Sequence, residues 1–204
     1  MPSSYPEQIP IIIDILMRLR PRSILDIGVG FGKYGFLARE YLEIWGKDTG
    51  YKDFKLRIDG VEPFNEYITP CHRYIYNNIY TTSALEFVNK QSTSYDLVLL
   101  IDVLEHLEKK KGEMLLNDLL QKNRNVLIST PKIFHRQGAV YSNTYEVHRS
   151  LWAKKELLKF GKGIVIPFKL ASIVLLGKDY NLLKRYKLKR QIFKLLPGFL
   201  QEFL

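Results

Sequence analysis

Apolar residues first recur at helical spacing, at Ile9, Ile12, Ile13, Leu16 and Leu19, and the period ends at Pro21. Ser23 to Ile27 is then a short β-prone run that breaks into Gly28, Gly30 and Gly32. Helical spacing returns from Lys33 to Trp45 through Phe36, Leu37, Tyr41 and Leu42. The alternation continues along the chain. A polar loop, Gly46 to Asp53, precedes a second strand from Leu56 to Pro63. The stretch from Asn65 to Tyr80 is poorly periodic, with a short irregular helix expected near Pro70. A third strand is expected at Ile79 to Thr82, followed by a helix opening at Ser83 as N-cap. Tyr95 to Ile101 is continuously apolar, as expected of a parallel strand covered on both faces. Lys109 to Gln121 is an amphipathic helix, and Asn125 to Thr130, closed by Pro131, a fifth strand. A last helix is expected over Trp152 to Phe160, then an antiparallel hairpin of Ile164 to Pro167 and Ala171 to Leu176. Strand and helix in this order predict an α/β fold: a doubly wound, mostly parallel seven-stranded sheet with helices on both faces and right-handed crossovers.

The sharpest local feature is Ile24 to Gly35, a strand that stops at an acid and turns through glycines into a helix. Glycine supplies positive φ and close backbone approach at such a turn, and the helix N-terminus faces the same ligand. Two cofactor classes suit it. Gly30-Phe31-Gly32-Lys33-Tyr34-Gly35 has the G-x-G-x-x-G spacing of a dinucleotide site, a weak signal alone, and it begins late relative to the strand. Asp26 favours the other class, because a carboxylate repels a pyrophosphate and attracts the ammonium and sulfonium of S-adenosyl-L-methionine.

Asp26-Ile27-Gly28-Val29-Gly30-Phe31-Gly32 resembles the first motif of the class I S-adenosylmethionine-dependent methyltransferases. The hexapeptide Asp102-Val103-Leu104-Glu105-His106-Leu107 resembles a second, which lies beside the methionine part of the cofactor in that family. The resemblance implies a Rossmann-like methyltransferase fold. It implies S-adenosyl-L-methionine held by Asp26, Gly28, Val29, Gly30, Gly32, Glu62, Pro63, Ser83, Ala84, Asp102 and Val103. Glu62, at the end of the second strand, is the residue expected to accept hydrogen bonds from the ribose hydroxyls, with Pro63 and Phe64 beside the adenine. Family members often carry an acid at the position of Ser83 to receive the adenine amino group. Here a hydroxyl or backbone contact takes its place. Asn143 to Trp152 also resembles an Asn-x-Tyr-Glu-x-His-x-Ser-x-Trp stretch of some relatives.

Composition adds limits. At 204 residues and 46% hydrophobic content, one domain with one core is expected. It divides into a cofactor domain over residues 1–178 and a basic, apolar tail over 179–204. The single Cys71 excludes an intrachain disulfide, and neither a leader nor about 18 consecutive apolar residues is apparent, which points to the cytoplasm. The net charge of +10 suits an anionic partner or a merely lysine-rich surface. The tail holds six basic residues against Asp179 and Glu202, interleaved with apolar and aromatic side chains. It either packs on the body or docks peripherally on anionic membrane.

Methyl transfer is an in-line displacement at an activated carbon, so a protein mostly positions the acceptor and removes its proton where needed. His106 and His148 are the candidate catalytic bases, with Glu105, His135 and Glu146 behind them, while His72 reads as a surface residue. Lys132 to Ser150 is long and aperiodic, as substrate loops and lids are. The turn after the fourth strand lacks the Pro-Pro-Tyr of common amino-group methylases and the cysteine needed for cytosine C5 chemistry. No Cys/His cluster shows metal-ligand spacing along the chain, so no metal is expected. The expected protein is a methyltransferase for an O, N or C atom of a small-molecule or lipid-like acceptor. RNA or protein methylation, or cofactor binding without catalysis, are the alternatives, nucleic acid being supported by charge alone.

Overall fold

The alternating pattern resolves, in a computed structural model that describes residues 4–45 and 53–195, into a single seven-stranded sheet. The strands are β1 (Ser23–Ile27), β2 (Arg57–Val61), β3 (Asn78–Tyr80), β4 (Leu97–Ile101), β5 (Asn125–Pro131), β6 (Gly163–Ile166) and β7 (Ala171–Gly177). The helices are α1 (Ile9–Leu19), α2 (Lys33–Arg39), α3 (Pro70–Ile75), α4 (Ala84–Lys90), α5 (Lys109–Lys122), α6 (Lys154–Leu157) and α7 (Lys184–Leu195). Strand order is β3-β2-β1-β4-β5-β7-β6, and β7 alone runs antiparallel to its neighbours. The order reverses between β1 and β4. A crevice opens beyond the carboxyl ends of strands at such a switch point.

Two apolar layers flank the sheet. Leu97, Leu99 and Ile101 of β4 point into the cluster that holds Ile11, Ile12, Ile15 and Leu16 of α1. Val98 and Leu100 point into the opposite one, with Leu115, Leu116 and Leu119 of α5 and Trp152. β4 is therefore buried along its whole length, which is why it reads as an unbroken apolar run.

Three elements differ from the sequence pattern. The helix after the glycine turn is α-helical only to Arg39 and continues as a π-helical turn over Glu40–Ile44. There Arg39 is buried, donating to Glu43 Oε2 at 2.6 Å, to the carbonyl of Ile75 at 2.9 Å and to the carbonyl of Leu56. The third strand is Asn78–Tyr80 rather than Ile79 to Thr82. The helix expected over Trp152 to Phe160 is reduced to Lys154–Leu157. Trp152 instead buries its ring in the core and donates its indole N–H to the carbonyl of Leu104, 3.2 Å away.

The first part of the tail packs on the body. Leu183 and Tyr186 are buried in the α1 layer, the Arg18 guanidinium lies 4.7 Å from the Tyr186 ring centroid, and Arg124 pairs with Asp179 at 2.6 Å. Leu188 and Ile192 of α7 stay exposed. The loop expected from Gly46 lies outside the described residues as far as 52, as does the tail from 196 onward. No described helix is long and apolar enough to cross a membrane.

Candidate active site

The ends of β1, β2 and β4 deliver their turns to one cavity of about 450 Å³. The turn after β1 is shaped by Gly28, Gly30 and Gly32 at φ values of +75°, +53° and +86°. A Cβ on Gly28 would sit 2.5 Å from Val103 Cγ2, so this glycine lets the β1 and β4 turns touch. A Cβ on Gly30 would meet no protein atom within 4 Å, which leaves its backbone open to a ligand.

Glu62 follows β2 and is 4% exposed. Its Oε2 accepts the Gly30 N–H at 3.0 Å and its Oε1 the Phe64 N–H at 3.1 Å, so the carboxylate ties the two turns together. A carboxylate has about four lone-pair sites, so two N–H donors leave acceptor capacity for a diol. Burial raises its pKa, and the two N–H donors oppose the rise. Asp102, after β4, sits at φ +54° and accepts from Gln8 Nε2 at 2.8 Å and Ser129 Oγ at 3.0 Å. Burial raises the Asp102 carboxyl, against these hydrogen bonds and the charge of Lys33.

Of the residues expected to hold a cofactor, Gly28, Val29, Gly30, Glu62, Pro63, Ser83, Ala84, Asp102 and Val103 line the cavity. Asp26 and Gly32 are not in its wall. Asp26 is buried and accepts a 2.6 Å hydrogen bond from Tyr76 Oη, and burial raises its pKa from 3.8 to about 7 despite that bond. The carboxylates that line the cavity are thus Glu62 and Asp102 rather than Asp26. The Ser83 hydroxyl is also committed elsewhere: it donates to Glu86 Oε2 at 2.8 Å and accepts from the Glu86 N–H at 3.3 Å, capping α4. Its backbone is engaged as well, the N–H donating to Glu86 Oε2 at 3.3 Å and the carbonyl accepting the Phe87 N–H at 3.0 Å.

The other half of the cavity is walled by the segment after β5, through His135, Gln137, Asn143, Tyr145, Glu146 and His148. Its far end is fastened to the β4 turn, because the N–H groups of Arg149 and Ser150 both reach the Glu105 carbonyl, at 2.7 and 3.1 Å. Ser150 Oγ and the Trp152 indole both donate to the Leu104 carbonyl. Thus Asn143 to Trp152 is the strap that carries His148 to His106, whose ring centroids lie 4.9 Å apart. Burial and the neighbouring His148 lower His106 to about 4. A neutral imidazole of that pKa is a weak general base at pH 7.

Several residues escaped the sequence pattern. Gln8 ends the short 3-10 turn that leads into α1, four positions before Ile12, and contacts both Asp102 and Ser129; a polar residue in register with the apolar stripe of the helix was its visible signal. Tyr5 and Tyr34 also line the cavity. His72 is fully buried, not on the surface. Its Nδ1 accepts the Thr69 N–H at 3.1 Å, so Nε2 carries the proton and donates to the Gly30 carbonyl at 2.8 Å, bracing the glycine turn from behind. Nothing local in the sequence marks that contact.

Comparison by sequence finds no family model and no curated protein that matches the chain. Comparison of structures does find similar folds. The chain is similar to an O-methyltransferase family protein from Burkholderia thailandensis, with a TM-score of 0.58 and 12% identity, over 83% of this chain and 56% of that one. It is similar to the N-terminal domain of EvdMO1, solved in the presence of SAH and D-fucose, with a TM-score of 0.60 and 13% identity over 86% and 84% of the two chains. The methyltransferase domain of bacterial CtHen1 aligns with a TM-score of 0.55 and 17% identity over 84% and 98%. This chain thus spans little more than half the length of the Burkholderia protein. At such identities the likeness establishes the fold: it is the class I methyltransferase fold that Asp26 to Gly32 and Asp102 to Leu107 resemble.

Proposed function

We propose that this chain is an S-adenosyl-L-methionine-dependent methyltransferase whose acceptor is a hydroxylated or otherwise polar small molecule or lipid-like compound. The observation that carries the reading is the placement of Glu62, a buried carboxylate pinned by the Gly30 and Phe64 N–H groups, at the mouth of the glycine turn. With unused lone pairs facing the cavity, it suits the paired hydroxyls of a ribose. Val29, Val103, Ala84 and Leu85 supply apolar wall for the rest of a nucleoside, and Asp102 supplies negative charge where a sulfonium and ammonium lie. The bound cofactor supplies the activated methyl group. The chain's own residues orient the acceptor and exclude water around it.

The acceptor half is polar, with Gln137, Asn143, Tyr145 and Glu146 in its wall, which favours an acceptor that makes hydrogen bonds. The presence of a sugar, D-fucose, with the EvdMO1 domain agrees with that chemistry. Titration calorimetry with SAH, against NAD as control, tests the cofactor. Labelling a cell extract with radioactive S-adenosylmethionine and separating lipid, RNA, protein and small-metabolite fractions tests the acceptor. Label confined to RNA or protein, or tighter binding of NAD, overturns the reading. Peripheral docking on anionic lipid is a further part of the proposal, supported by exposed Leu188 and Ile192 between basic residues of α7. Salt-sensitive co-sedimentation with anionic vesicles tests it.

A further inference from the structure

Glu105, His106 and His148 stand at the junction of the two halves of the cavity, and each directs one ligand atom into a shared space. Those atoms all lie within 4.8 Å of one another. Glu105 is 3% exposed, yet one of its carboxylate oxygens has no hydrogen-bond partner, and the buried Nδ1 of His106 has none either. The backbone of Glu146 and Val147 lies against the His106 ring. The Nδ1–H of His148 donates to the His135 carbonyl at 2.6 Å, so the lone pair of that ring is on Nε2. A buried polar atom left without a partner is unfavourable, because it has lost its hydrogen bonds to water and gained none. Two such atoms on residues whose ligand atoms already converge with one of His148 are an arrangement that a cation would satisfy.

The cluster is also built to hold its geometry. His148 is joined to the β4 turn by the Arg149 and Ser150 N–H bonds to the Glu105 carbonyl. The carbonyl of His135 orients its ring from outside, as partners of metal-ligating histidines do. Spacing along the chain hides this set, because one ligand comes from the loop after β5 and two from the turn after β4.

We propose that Glu105, His106 and His148 bind a divalent transition-metal ion that receives a hydroxyl oxygen of the methyl acceptor. Two imidazoles and one carboxylate suit zinc, manganese or iron better than magnesium or calcium. Three protein ligands leave coordination positions open for the acceptor. The ion lowers the pKa of the bound hydroxyl, which loses its proton to water. The oxygen then forms a bond to the methyl carbon as the carbon–sulfur bond breaks, and the sulfonium becomes a neutral thioether. The two histidines thereby act as ligands rather than as bases. The acceptor's role rests on the methyltransferase reading, whereas binding of the ion does not.

The test begins with chelator-treated full-length protein, titrated calorimetrically with Zn²⁺ and separately with Mn²⁺ in the absence of any nucleoside. One ion per chain is expected. His148→Ala should weaken the binding by at least roughly tenfold, while SAH affinity stays within about twofold of wild type, as for sites that share no partner. Glu105→Gln is the second variant, with the same expectation, should either fail to fold. No bound ion in folded wild type, by heat and by elemental analysis after gel filtration, overturns the proposal, as does unchanged affinity in the variants. Absence of SAH binding overturns the methyltransferase reading alone, because the metal titrations contain no nucleoside.

Discussion

The two halves of the cavity are made differently. In the cofactor half, short turns leave the ends of β1, β2 and β4, and the carboxylates there are engaged: Glu62 by two backbone N–H groups, Asp102 by Gln8 and Ser129. In the acceptor half, one long segment after β5 crosses the opening, and buried Glu105 and half-buried His106 keep atoms without partners. The first half is pre-formed by the sheet. The second is walled by a loop, and its chemistry is open to variation because loop residues can change without disturbing the strands.

The strongest way to break the cofactor half is at its turn. Gly28→Ala introduces an unfavourable φ, about 1–2 kcal/mol, and a Cβ 2.5 Å from Val103 Cγ2, about 1–3 kcal/mol of overpacking, so about 2–5 kcal/mol is lost from stability. Urea denaturation measures it. Adding Val103→Ala should recover the packing share but not the backbone share. If Gly28→Ala unfolds at the same urea concentration as wild type, the close contact between the turns is unimportant.

Glu62→Ala removes the acceptor for the ribose and should cost about 1.5–3 kcal/mol in SAH binding, roughly ten- to a hundredfold. Metal affinity should not move. An equal loss of both would mean the halves are one cooperative site. His72→Phe acts from behind the same turn, leaving the Gly30 carbonyl and Thr69 N–H without their partner. A loss of about 1 kcal/mol, near fivefold in SAH affinity at unchanged metal affinity, is expected.

pH separates the halves more gently. Folded, Asp26 keeps its proton up to about 7; unfolded, it releases it near its ordinary value of 3.8. Between those limits the folded state binds more protons, so stability falls as pH rises from about 4 to about 7. Asp26→Asn should flatten that slope in denaturation curves at pH 5 and 7.5, and an unchanged slope would assign it to other carboxyls. The smallest effect concerns the loop that leads into the strap. Amide exchange of residues 133–142 should slow when SAH and acceptor are both bound, and less so for Arg149 and Ser150, which are already fixed to Glu105. Equal protection in all states would end the expectation of a closing lid.

The cofactor half was largely legible because it obeys local rules. A strand buried on both faces must be apolar, as β4 is, and a turn at positive φ favours glycine, as at Gly28 and Gly30. The acids at the strand ends were legible too, although Asp26 meets Tyr76 and is not in the cavity wall. Helix ends were harder. Trp152 and Phe160 have helical spacing, but the indole gains more in the core beside Leu104 than in an α-helical turn.

Periodicity and composition by themselves determined the order of strands and helices, the parallel sheet, the glycine turn and the placement of Glu62 and Asp102 at strand ends. These depend on hydrogen bonds and burial within each element. Tertiary structure alone decided that His72 supports Gly30, that Gln8 reaches Asp102, that Leu183 and Tyr186 join the core, and that His148 meets Glu105 and His106. The physical reason is that such contacts depend on where a loop or helix docks in space, and that is fixed by packing among residues far apart in the chain.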